Sequence, residues 1–141
     1  MHPVIQEEST GCGIAASATL AQISYEQARQ RAAALGIHAG DTTLWSDTRH
    51  VRSLLLDLGW QTAPGETPFT DWSSLPDHAL LAIRWRIEDG LPRWHWVTFV
   101  RDQGHALVLD SKKSLKNGRR TDFWRMQPKW FIAVEPNAPA N

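Results

Sequence analysis

GCGIAASATLAQI, residues 11–23, is the stretch on which the reading of this chain turns. Small and apolar residues dominate from Ile14 to Ile23, and Ser9, Thr10 and Gly11 supply the polar start signals of a helix. Cys12, the sole cysteine of the chain, then falls in the first helical turn. Gly11 and Gly13 flank it with residues that carry no side chain, so nothing local crowds the sulfur. The start of a helix carries partial positive charge, and together with a nearby imidazolium it favours the thiolate, the form in which a cysteine attacks a carbonyl. By itself a single cysteine is more often a small buried apolar residue than a nucleophile. Its partners have to be found elsewhere in the chain.

Working outward, Tyr25 to Leu35 (YEQARQRAAAL) is built from strong helix formers and stops at Gly36. Residues 36–43 read as a loop, and Asp47 to Leu58 places Val51, Leu54, Leu55 and Leu58 on one helical face. The prolines and hydroxyl residues between Trp60 and Pro76 predict mostly loop, with one short strand at Trp60 to Ala63. Beyond Pro76 the pattern changes to strands: ALLAIRWRI (79–87), WHWVTFVR (94–101), HALVLD (105–110) and WFIAVE (130–135). Gly90 with Pro92, and Asp102 to Gly104, are the expected turns. The basic run KKSLKNGRR (112–120) reads as a solvated loop between two strands in preference to an anion-binding patch. Helices first and an antiparallel sheet second predict one α+β domain over residues 1–135, followed by a flexible tail at 136–141.

Bulk properties exclude several function classes. The 42% apolar and 21% charged residues are ordinary for a folded domain, which argues against wholesale disorder. Fifteen basic and fifteen acidic residues cancel, so no overall field recruits nucleic acid or an anionic membrane. A lone cysteine forms no intrachain disulfide, and the N-terminus MHPVIQEEST lacks the pattern of a secretory signal, so the expected setting is cytoplasmic, or delivery from the cytoplasm without a signal peptide, with no membrane insertion. The sequence is silent on oligomeric state.

Three residues can complete the chemistry of Cys12. Gln6 lies close enough upstream for a turn to bring its amide beside the sulfur, where it and the backbone N–H of Cys12 can hold an oxyanion. His95 stands between Trp94 and Trp96, and strand alternation sends it to the opposite face from both. Asp110 ends the next strand, and a hairpin turning near Gln103 brings it to the same open end as His95, where a carboxylate can orient an imidazole. Taken singly, each has a plain alternative: a surface glutamine, a core histidine and a turn aspartate.

The stretch QEESTGCGIAA (6–16), a histidine opening the apolar strand HWVTFV and an aspartate ending LVLDS resemble the double-glycine leader peptidases. Those domains process bacteriocin precursors, often at the N-terminus of an ABC transporter, and have a papain-like cysteine peptidase fold. The resemblance covers nearly the whole chain. It implies Cys12 as nucleophile, His95 as base, Asp110 as orienting acid and Gln6 as oxyanion donor, with a peptide cut at small residues such as Gly-Gly and possible association with a transporter or secretion system. Gly11, Gly13, Trp94 and Trp96 are the expected substrate-binding positions. The sequence departs from the family at Gly11, Ile14 and Ser111, where an acidic or polar residue, a proline and a second proline are common.

Other chemistries fit less well. His2, His38, His50, His78 and His105 show no short zinc-ligand spacing, and no Gly-x-Ser-x-Gly elbow is present, so neither a metal nor another cofactor is expected. The same triad can pass its acyl group to an amine, as in a transglutaminase-like transferase, or attack a side-chain amide as a deamidase. A silent peptide-binding module is the remaining alternative.

Overall fold

The computed structural model describes residues 1–115 and 117–137. Three helices, α1 (Cys12–Ala21), α2 (Tyr25–Ala34) and α3 (Arg49–Asp57), precede seven strands: β1 (Trp60–Thr62), β2 (Thr67–Pro68), β3 (His78–Glu88), β4 (Leu91–Asp102), β5 (His105–Leu109), β6 (Arg119–Arg120) and β7 (Trp130–Pro136). The strands run in the order β1-β7-β3-β4-β5-β6, with β2 also paired to β7, and every pairing is antiparallel. This is the α+β arrangement expected from the sequence.

α1 is small and apolar on every side because every side is covered, the pattern of a buried helix. Cys12, Ala16 and Leu20 join Val51 and Leu55 of α3 against the sheet residues Leu80, Ala82, Trp96 and Ile132. Ile14, Ala15 and Ala18 turn the other way and meet Tyr25, Ala28 and Ala32 of α2. The far face of the sheet buries Leu81, Ile83, Val97 and Phe99 beneath Leu75 and Met126. With both faces covered, β3 is buried from Ala79 to Ile83, which explains its continuous apolar run.

Both hairpins use two-residue turns whose central positions have positive φ, Asp89-Gly90 (52° and 78°) and Gln103-Gly104 (51° and 80°), the handedness that matches strand twist. Pro92, expected in the turn, instead lies in β4 opposite Ile87. It is tolerated there because β5 pairs only with Thr98 to Asp102, so β4 needs no donor toward β5 at residue 92. The basic run is not wholly loop either, since Arg119 and Arg120 pair with Leu109 and Val108. In the expected loop over Trp60–Pro76, Trp72–Ser74 forms a 3-10 turn capped by Asp71, whose carboxylate accepts from the Ser74 N–H. Of the expected tail, Pro136 instead ends β7 opposite Trp60 and the Asn137 N–H donates to the Gly59 carbonyl at 2.8 Å, while residues 138–141 lie outside the described residues. No helix of the described residues is long and apolar enough to cross a membrane.

Candidate active site

The loop before α1 is fixed before any chemistry is considered. The Glu8 carbonyl accepts from the Gly11 N–H at 3.0 Å, its carboxylate accepts from the Tyr25 hydroxyl, and the Trp45 indole N–H donates to the Ser9 carbonyl at 3.1 Å. Burial, followed by the Glu8 carboxylate, keeps the Tyr25 hydroxyl protonated far above its ordinary range. Cys12 therefore starts its helix from an anchored turn. Its residue is only 2% exposed, and it lines the floor of a cleft of about 470 Å³ shared with Gln6, Trp45, Trp94 and His95.

His95 approaches from the sheet. The pairs Thr98 with Leu109 and Asp102 with His105 set the register, and β5 ends before Asp110, so the β4 edge is open beside His95. His95 Nε2 lies 2.7 Å from Asp110 Oδ1, which leaves Nδ1 for the thiol. Asp110, 1% exposed, also accepts from the Lys112 N–H at 3.0 Å and from Arg120 Nη1 at 3.1 Å. Burial alone would raise its pKa, but hydrogen bonding and charge from His95, with Lys112 and Arg120, lower it below the ordinary carboxylate value. For His95 burial favours the neutral ring. The hydrogen bond that the ring donates to Asp110 and the neighbouring Cys12 outweigh it, and the pKa is raised to about 9.

Gln6 borders the same cleft and is held at both ends of its amide. Its Oε1 accepts from the Ser111 hydroxyl at 2.7 Å, and its Nε2 donates to the Glu8 carbonyl at 3.0 Å and the Ser9 carbonyl at 3.3 Å. The Gln6 N–H donates to the Ser111 carbonyl at 3.1 Å. Ser111, directly after Asp110, thus ties the amide of Gln6 to the strand end that orients His95.

The structure brings Gln6, Cys12 and His95 to one cleft, with Asp110 behind the imidazole. The remaining expected positions divide between the cleft and the core. Trp94 lines the cleft, whereas Trp96 is 1% exposed and packs edge to face against Trp94 and Trp130, within the core. Gly11 and Gly13 are buried and absent from the cleft lining. A Cβ on Gly11 would strike the Tyr25 hydroxyl, and one on Gly13 would strike His50 Nε2 and Val51. The glycines make room for neighbours rather than for a substrate, and the region around Cys12 is more crowded than the sequence implied.

Sequence reasoning missed His50, Arg84 and Arg120. His50 is buried with no hydrogen bond at either ring nitrogen among the described residues, and burial holds it neutral despite Asp47 Oδ2 at 3.5 Å. Arg84 lies at a bulge in β3, where Arg84 and Trp85 together face Trp94, and its φ of 55° is rare for a residue with a side chain. Nothing in the sequence signals the bulge, because IRWRI (83–87) keeps the regular alternation of an unbroken strand.

No protein-family model matches the chain, and no curated protein matches it. Solved structures do. A double glycine motif protease from an AMS/PCAT transporter, crystallised in complex with the leader peptide, matches at 16% identity and a TM-score of 0.60, over 97% of this chain and 93% of that one. The peptidase domain of Streptococcus ComA, a bi-functional ABC transporter involved in a quorum-sensing pathway, matches at 18% identity and a TM-score of 0.65, over 96% and 98%. At such identities the likeness is one of fold. The chain has the papain-like α+β fold of these peptidase domains.

Proposed function

We propose that this chain is a cysteine peptidase acting on a peptide or protein segment through Cys12, His95 and Asp110. The observation that carries the reading is the placement of a thiol in the first turn of a helix, in one cleft with a histidine whose far nitrogen is held by a buried aspartate. His95 Nδ1 takes the proton of the thiol, and Sγ attacks the scissile carbonyl carbon. The amide of Gln6 and the Cys12 N–H face the oxygen as it gains charge. For Gln6 this means releasing the longer of its two donated bonds, the one to Ser9. The imidazolium gives its proton to the leaving amine, and water, deprotonated by the same ring, cleaves the thioester.

The small exposure of Cys12 favours a substrate whose residues at the cleavage point have little or no side chain, so a Gly-Gly site fits. Both structural neighbours belong to transporters, one bound to a leader peptide, which makes a secreted peptide precursor the natural substrate and a transporter a natural companion.

Intact-mass analysis after brief iodoacetamide treatment tests the nucleophile, using wild type and His95→Ala across pH. Rapid alkylation near pH 6 that depends on His95 is the expected result. A thiol that reacts only after denaturation would sink the proposal. Mass analysis of Gly-Gly peptide products, with and without added amine, separates hydrolysis from acyl transfer.

A further inference from the structure

A second, larger cleft of about 790 Å³ also borders His95. Arg84, His95 and Lys112 line both clefts, so the two meet at the imidazole. Among the described residues, the Lys and Arg side chains with no carboxylate within 4 Å are Arg84, Lys112, Lys113, Arg119, Arg125 and Lys129. All but Lys113 line this cleft. Its own carboxylates, Asp110 and Asp122, are already engaged by Arg120.

Five of the six uncompensated cations among the described residues are therefore gathered beside the candidate base, in a chain of zero net charge. Like charges held together repel, and an anionic partner relieves that repulsion while gaining orientation. The backbone contributes as well. The β3 bulge that places Arg84 between the clefts immediately follows Ile83, the residue paired with His95. Lys129 is fixed over the Trp85 ring at 4.6 Å. Trp124, 77% exposed, adjoins Arg125 in the 3-10 turn Phe123–Arg125 and offers an apolar contact near the rim.

We propose that this cleft binds an acidic segment of the peptide whose scissile bond lies at Cys12, so that Arg84, Lys112, Arg125 and Lys129 select substrates with Asp or Glu on one side of the cleavage point. The proposal rests on the peptidase reading for the identity of its ligand. A peptide is favoured over nucleic acid because the cleft is continuous with that of Cys12.

The test uses Cys12→Ser protein and fluorescein-labelled Gly-Gly peptides carrying three Glu on the amino side, three Glu on the carboxyl side, or three Gln. Fluorescence anisotropy is expected to show one Glu peptide binding about tenfold more tightly than the Gln peptide at low salt, with the gap closing near about 0.5 M salt. Arg125→Glu and Lys129→Glu abolish the preference, while Lys113→Glu, with the same change in net charge, keeps it. Equal binding of all three peptides overturns the proposal. So does a preference that survives both cleft substitutions, or tighter binding of an oligothymidine of equal charge. Wild-type cleavage is scored separately. Acidic peptides that bind and are never cut refute the peptidase and leave the cleft standing, whereas Gln and Glu peptides cut equally well refute the cleft and leave the peptidase.

Discussion

The two halves of the candidate site are held by different forces. On the helix side, beyond the hydrogen-bonded turn that precedes it, Cys12 is placed by packing: Gly11 against Tyr25, Gly13 against His50 and Val51, and apolar contacts around the rest of α1. On the sheet side, His95 is placed by a polar chain through Asp110 to Arg120, with Ser111 and Gln6 alongside. Packing is indifferent to pH and intolerant of volume, and polar networks are the reverse. A substitution on one side should therefore fail in a way that the same size of change on the other does not.

The largest effect is expected at Asp110. Asp110→Asn keeps the shape and removes the charge that orients and stabilises the imidazolium, so kcat/KM on a cleaved peptide should fall by roughly 10²–10⁴-fold. The pH profile carries the diagnosis. With His95 at about 9, the alkaline limb of activity in the parent should lie near that value, and in Asp110→Asn it should move downward. Stability follows the same linkage. Because the folded pKa of His95 is raised, its contribution is complete below the ordinary histidine value and disappears as pH rises through about 9. Asp110 is lowered, so its contribution is present above the ordinary aspartate value and is lost in acid. An alkaline limb unmoved by Asp110→Asn would mean that the carboxylate does not govern the ring.

Next in size is the steric side. Gly13→Ala puts a methyl into His50 and Val51 and should destabilise the fold by about 1–3 kcal/mol, read by urea unfolding. Pairing it with His50→Ala should recover part of the loss, a coupling expected only if the ring is the obstacle. The loss should be nearly independent of pH between neutrality and the alkaline limb, in contrast to Asp110→Asn. Simple additivity in the double variant would place the obstacle at Val51.

This contrast also explains what could be read before the structure. Cys12, His95 and Asp110 are visible in sequence because each follows a local rule: a helix start, an aromatic strand run, and a hairpin register counted outward from Gln103-Gly104. The three helices and five of the seven strands, β1, β3, β4, β5 and β7, are legible for the same reason. His50, Tyr25 and Arg120 obey no local rule, since their roles come from α3, α2 and β6 being brought against α1 and the end of β5. Pro92 was misplaced because a turn signal and an unpaired strand edge look alike along one chain. The basic run 112–120 reads as loop along the sequence because its pairing of Arg119 and Arg120 with β5 is set by the strand it meets and not by its own residues.

The smallest effect is expected where the two halves join. Ser111→Ala removes the hydroxyl that holds Gln6 Oε1 at 2.7 Å but spares Asp110, His95 and Cys12. One neutral hydrogen bond is worth about 0.5–1.5 kcal/mol, so kcat should fall by roughly two- to tenfold if the bond aims the Gln6 amide at the oxyanion. Three readouts distinguish aiming from mere support of the loop. KM should change little, the alkaline limb should stay where His95 sets it, and Ser111→Thr should restore most of kcat by replacing the hydroxyl. Gln6→Ala should then make Ser111→Ala almost silent, because the hydroxyl acts only through the amide. If Ser111→Ala lowers kcat equally in the Gln6→Ala background, Ser111 works through Asp110 instead, and the polar side is one network rather than two adjoining ones.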